Sequence, residues 1–404
     1  MSFGVIGAGI VGLTTALELQ ETYPNARVSI LADTFNEDTT SWVAAGVFRP
    51  STSFRGPSDA ITKKLIRDAY LYWDNIRRSS IAPKAGICEL SGYIFSKSNK
   101  SVVRNHLIED IVPVYRQATE EELTLCHGGW KFGSFFTTLL IESGIFLPYA
   151  IEKFKKSGGQ VFNKRVESFA EIGDKFDVIV NCSGLGAREL CNDHSLVPVR
   201  GQVIKVKAPW IKTAFYGEFD TYIIPGFNAV TLGGCRQLDS YNKEVSKYDS
   251  MAIRERCTQL LPSLQKAETV KTLVGLRPHR HEVRLEPEIL EGLGGRNIKI
   301  VHNYGHGGYG VTTAPGTAKY AVSLVREVYS ASGVMLSFIC FCVGIIRQFG
   351  KNAVKSRFVL SFVSFCLEDS VIYVVQPHIL GIFYTQLLTA EGQKLRIVSS
   401  RLLC

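Results

Sequence analysis

The sequence has 404 residues, 46% apolar and 21% charged, with a formal net charge of +9. That is enough chain for roughly two to three domains with a sizeable core, and it excludes a disordered, collagenous or coiled-coil protein. Ten cysteines without a CxxC pair exclude a disulfide scaffold, a zinc ribbon and a thioredoxin-type redox motif.

Residues 2–13 read SFGVIGAGIVGL. With no early Lys or Arg, this is not a signal peptide. A short strand over Phe3–Ile6 leads into Gly7, Gly9 and Gly12, the GxGxxG spacing, and a helical pattern follows with apolar Ile10, Leu13, Ala16 and Leu17. A second strand, Arg27–Leu31, ends at Asp33, 21 residues after Gly12. This is the dinucleotide-binding βαβ pattern. Gly7 permits the tight turn out of the strand, Gly9 lets backbone N–H groups approach a pyrophosphate, and Gly12 lets helix and strand pack closely. Ala8, Ile10 and Val11 belong to the same cofactor loop, whose helix N-terminus adds partial positive charge. Asp33, with Thr34 beside it, can accept hydrogen bonds from ribose hydroxyls.

Further along, the hydroxyl residues Thr39, Thr40 and Ser41 precede the small-residue run Ala44, Ala45, Gly46. Asp177–Asn181 (DVIVN) is a continuous apolar run, as in a buried parallel strand. Gly201–Lys207 (GQVIKVK) alternates, as in an antiparallel strand with one face in solvent. A glycine-dense loop, YGHGGYG from Tyr304 to Gly310, precedes a helical segment over Thr317–Val328. The histidines show no HExxH or paired ligand spacing, so no metal site is expected. No nucleic-acid motif and no basic–aromatic face appears.

Seven segments recur in order: the GxGxxG unit, VIVNCSGLGAREL (178–190), VPVRGQVIKVKAPW (197–210), TYIIPG (221–226), TLGGCRQ (231–237), GLRPHRHEVRLE (275–286) and HNYGHGGYGVT (302–312). This set resembles the FAD-dependent D-amino acid oxidase / D-aspartate oxidase family, from about residue 2 to about residue 328. The resemblance implies an α/β fold. A discontinuous Rossmann-like FAD-binding domain would come from residues 1–50, 150–195 and 275–330, and a substrate domain with a large mixed or antiparallel β-sheet from 51–149 and 196–274.

The resemblance also implies the site. Arg277 in GLRP would hold the substrate α-carboxylate through its two-pronged guanidinium. Tyr222 would reach the same carboxylate, and the carbonyl of Gly308 the amine. Where some relatives carry a second tyrosine, four positions before Tyr222, this chain has Glu218. Arg236 stands where relatives acting on neutral substrates carry an aromatic residue, and it could pair with a side-chain carboxylate. Taken alone, each arginine could equally be a surface residue and Tyr222 a packed strand residue. Thr39, Thr40, Ser41, Ala45, Gly46 and Val47 match flavin contacts. Val166 and Ser183 match the adenosine and pyrophosphate sides, and His306, Gly307, Tyr309, Gly310, Val311 and Thr312 the flavin ring. Cys182 beside Ser183 reads as a buried small apolar residue.

The implied reaction is oxidation of an acidic D-amino acid by FAD and O₂ to a 2-oxo acid, ammonia and H₂O₂. An oxidase of neutral D-amino acids and an inactive flavin-binding splice product are the rival readings. The family implies a peroxisomal address of the Ser-Lys-Leu kind, but this chain ends Arg-Leu-Leu-Cys. Residues 331–404 differ from the rest: 42 of 74 are apolar, and seven Lys/Arg face three acids. Their most apolar stretch, Gly333–Ile346, is 14 residues, short of the roughly 17–25 a membrane helix needs. The segment reads as an atypical extension without a membrane anchor, and oligomeric state stays open.

Overall fold

The computed structural model describes residues 1–292 and 297–329, and the backbone of the strands Val371–Gln376, Phe383–Glu391 and Lys394–Leu402. The chain divides into two units, Met1–Gly333 and Val334–Cys404. In the second, those three strands form an antiparallel sheet in chain order. The apolar stretch 333–346 lies outside the described residues. Among the described residues, no helix is long and apolar enough to cross a membrane.

The first unit holds two sheets. The smaller has six strands in the order Pro287–Glu291, Asn297–His302, Val178–Asn181, Ser2–Ile6, Arg27–Ala32, Gln160–Asn163. All neighbours are parallel except the first pair. Val178–Asn181 sits centrally with every residue buried, as its unbroken apolar run requires. The helix Ile10–Thr22 crosses between Ser2–Ile6 and Arg27–Ala32, and buries Leu13, Ala16 and Leu19.

The larger sheet has ten strands. Its path runs Tyr304–His306, Glu268–Arg284, Val197–Lys207, Val230–Gly233, Tyr222–Pro225, Ala214–Tyr216, Ile87–Ser96, Phe132–Ile141, Val114–Gln117, with Gln237–Leu238 beside Val197–Lys207. Every pairing is antiparallel except Ala214–Tyr216 with Ile87–Ser96, so the sheet is mixed. The 17-residue strand Glu268–Arg284 carries Arg277 opposite Val199.

Two expectations change. Val197–Lys207 is antiparallel, but residues 200–206 are buried on both faces. Its polar positions enter a hydrogen-bond network in place of water. Arg200, 2% exposed, donates to the carbonyls of Asn242 and Glu244 and pairs with Asp249 at 2.8 Å. Gln202 donates to Ser246 O and Ser250 Oγ. Burial at this cost is tolerated because each polar group has a partner.

The last helix spans 310–329, starting seven residues before the expected Thr317. Pro315 and Gly316 read as a break, yet they lie inside it. The helix there presses on the chain at Leu65: a Cβ on Gly316 would stand 1.9 Å from the Leu65 carbonyl oxygen. Tertiary contact, not local propensity, selects the glycine.

Candidate active site

The glycine motif is built as its spacing requires. Gly7 has φ +103°, a conformation that favours glycine, and its N–H donates to Leu31 O at 2.8 Å. A Cβ on Gly12 would lie 2.0 Å from Gly7 O, so Gly12 lets the helix begin flush on the strand turn. Ser41 comes from a separate segment to that helix start and accepts the Ile10 N–H at 3.0 Å. Asp33 follows the second strand, half-exposed and 3.9 Å from Arg165 Nη1.

A single cavity of about 1700 Å³ begins at this turn. Every site residue expected from the sequence lines it except Gly12, which supports the turn from behind. The hydroxyls of Thr39 and Thr40 donate to backbone carbonyls of Asn36 and Leu276. Ser183 Oγ donates to Asn181 Oδ1 at 2.7 Å. These three side chains therefore fix the wall. Gly46, at φ +81°, lets the chain pass the Ile141 carbonyl oxygen, 1.9 Å from where a Cβ would be. Cys182 is buried, and burial pushes its thiol up to about 12, so it packs as an apolar group.

At the other end, Arg277 lies over Gly201: a Cβ there would be 2.2 Å from Nη1. Nη1 donates to Cys235 O at 3.2 Å. Among the described residues no carboxylate pairs with Arg277, which leaves most of its fork for an anion. Gly308 approaches the stem of Arg277, with a Cβ position 3.2 Å from Cδ. The ring of Tyr222 packs against Gly233 and Gly234. Burial pushes the Tyr222 phenol up, with the nearby Arg277 charge opposing in part, so it stays a neutral donor.

Arg236 lines the cavity mouth, 61% exposed, with Nε 2.9 Å from Asp220 Oδ1. Its charge is thus already met. Glu218 also lines the cavity and accepts the Lys97 N–H at 2.8 Å. His306 is buried, and Nε2 shares a hydrogen bond with Thr317 Oγ1 at 2.9 Å. Burial pushes its pKa down to about 3, so it is neutral and engaged.

Sequence reasoning missed two residues here. Tyr216 pairs with Tyr222 across adjacent strands, with ring centroids 6.1 Å apart. Arg49 reaches the same wall, its guanidinium carbon 4.4 Å from the Tyr216 ring centre. Tyr216 stands six positions before Tyr222, so strand register places it, and no motif signals Arg49.

Residues 3–324 match the family described as FAD dependent oxidoreductase, and the chain belongs to it. Its relatives include human D-aspartate oxidase, 40% identical over 329 residues, 81% of this chain and 95% of that one. A D-amino acid oxidase of Dugesia ryukyuensis is 38% identical over 333 residues, 81% and 98% of the two chains. Among solved structures, glycine oxidase from Geobacillus kaustophilus shares the fold at TM-score 0.67 and 17% identity, covering 80% of this chain and 94% of its own.

The cavity fits FAD. Its turn exposes backbone N–H groups at a helix start beneath glycines, a pyrophosphate cradle. An acid stands at the end of the second strand, and the wall continues past Ser41–Val47 to the glycine loop at 305–310.

Proposed function

We propose that this chain is an oxidase of D-amino acids, with acidic side chains preferred. The observation that carries the reading is Arg277, a fork without a carboxylate partner among the described residues, set over Gly201 and beside Tyr222 and Gly308 in the FAD cavity. Arg277 grips the α-carboxylate and the neutral Tyr222 hydroxyl donates to it. The Gly308 carbonyl accepts from the amine. The glycine turn and the 305–310 loop would hold FAD, which would supply the hydride acceptor and the route of electrons to O₂. No side-chain base is assigned, since His306 is neutral and already bonded. Loss of the hydride leaves an imino acid, which water hydrolyses to a 2-oxo acid and ammonia, while O₂ is reduced to H₂O₂; release of peroxide favours a peroxisomal setting.

Arg236, at the mouth, is the contact for an acidic side chain that the motif TLGGCRQ suggests. Its exposure and its pairing with Asp220 favour the second reading, oxidation of neutral D-amino acids. We assign residues 1–50, 150–195 and 275–330 to the FAD domain and 51–149 and 196–274 to the substrate domain. The larger sheet nonetheless includes residues from both sets, since Glu268–Arg284 and Tyr304–His306 belong to it. This overlap supports reading Arg277 as a residue of the seam between cofactor and substrate.

Peroxide release from the FAD-loaded protein tests the proposal, with D-aspartate, L-aspartate and D-alanine compared. Turnover of D-aspartate above D-alanine, with none of L-aspartate, is expected. Equal turnover of both D-amino acids supports the second reading, and absence of turnover with either overturns both.

A further inference from the structure

We propose that Arg49 is a second carboxylate-binding arginine of this cavity, the one that receives the side-chain acid of the substrate. The proposal rests on the reading of Arg277 as the α-carboxylate site.

Arg49 follows a segment fixed by the larger sheet. Val47 bridges to Leu140, and the Phe48 N–H donates to Leu139 O at 2.8 Å. The side chain is half-buried and lines the cavity. Among the described residues it has no carboxylate partner, and its buried Nε has no hydrogen-bond partner. The guanidinium instead stacks over Tyr216, a weak compensation for a desolvated charge. Tyr216 stands beside Tyr222, and Tyr222 feels the Arg277 charge. Arg49, Tyr216, Tyr222 and Arg277 therefore succeed one another along one wall, with a cation at each end and neutral rings between.

Arg236 differs in both respects that matter. It is mostly in solvent and already holds Asp220. A second carboxylate gains little from a paired, screened cation. It gains more from a partly desolvated, unpaired one, which also disfavours an apolar side chain that leaves the charge unmet.

Succinate and butyrate separate the contributions, because they share a chain length and differ by one carboxylate against one methyl. Their affinities for the FAD-loaded protein are measured by calorimetry and expressed as a ratio. The wild type is expected to favour succinate, and Arg49→Gln to lower the ratio by roughly tenfold or more, with Arg236→Gln lowering it less. Arg49→Met keeps an unbranched apolar side chain without the charge and gives the same readout if the Gln variant does not fold. Arg49→Lys should retain part of the ratio. A wild-type ratio near one, a ratio unchanged in both Arg49→Gln and Arg49→Met, or a larger fall in Arg236→Gln overturns the proposal. Arg277→Gln should weaken both ligands alike. If it weakens neither, the α-carboxylate reading fails, a result distinct from any change in the ratio.

Discussion

The Arg277 guanidinium lies against the backbone of Gly201 on the neighbouring strand, closely enough that a Cβ on Gly201 would stand 2.2 Å from Nη1. The glycine is therefore the floor on which the fork rests. Gly201→Ala should push the guanidinium off its position while leaving the strand intact, since alanine tolerates extended backbone. The expected result is a fall of roughly tenfold or more in kcat/KM, with flavin content retained. Steady-state kinetics beside the visible flavin spectrum check this. Unchanged kinetics would show that Arg277 does not depend on that floor.

Tyr222 contributes a hydroxyl, while its ring fills space over Gly233 and Gly234. Tyr222→Phe keeps the ring and removes the donor. One hydrogen bond to a charged group is worth about 1.5 kcal/mol or more, so kcat/KM should fall about tenfold with little change in Tm. Because burial holds the phenol above its ordinary range, wild-type substrate binding should show no loss from Tyr222 ionisation up to about pH 10.

Gly9 and Gly12 serve different ends of the cofactor turn. A Cβ on Gly12 would meet Gly7 O at 2.0 Å, whereas on Gly9 the nearest atom is Ser41 Oγ at 3.2 Å. Gly12→Ala must lift the helix, so both Tm and flavin content should drop, with overpacking costing about 1–3 kcal/mol. Gly9→Ala should reduce flavin content with a smaller change in Tm. Thermal melts and flavin-to-protein absorbance ratios of the two variants distinguish the roles.

His306 is held neutral by burial, with a folded pKa of about 3, against an ordinary value of about 6.5. The folded pKa is depressed, so the unfolded chain binds the extra proton. Its stabilising effect is fully present above about pH 6.5 and is lost as pH falls toward 3. His302, also buried and shifted down, acts in the same sense. Between about pH 6.5 and 5 each such group should reduce stability by up to about 1.4 kcal/mol per pH unit. His306→Gln, which keeps a nitrogen for Thr317, should flatten the fall in Tm over that window. An unchanged slope would place His306 outside the titration.

The cofactor half and the reaction class are legible in the residue order alone. Gly7, Gly12 and Asp33 are set by local spacing, because a strand–turn–helix can form only one way around those glycines. Arg277 and Tyr222 were legible through the short motifs that carry them. The relations between distant segments emerge only with the fold. The burial of Arg200 and Gln202 needed the facing segment from Asn242 to Ser250. The glycine at 316, inside the last helix, needed Leu65. Asp220 takes the charge of Arg236 across a turn, while Arg49 and Tyr216 meet from segments more than 160 residues apart. Periodicity reports which face of an element is apolar, but the partner that covers that face, or leaves a charge unmet, is supplied by chain far away in sequence.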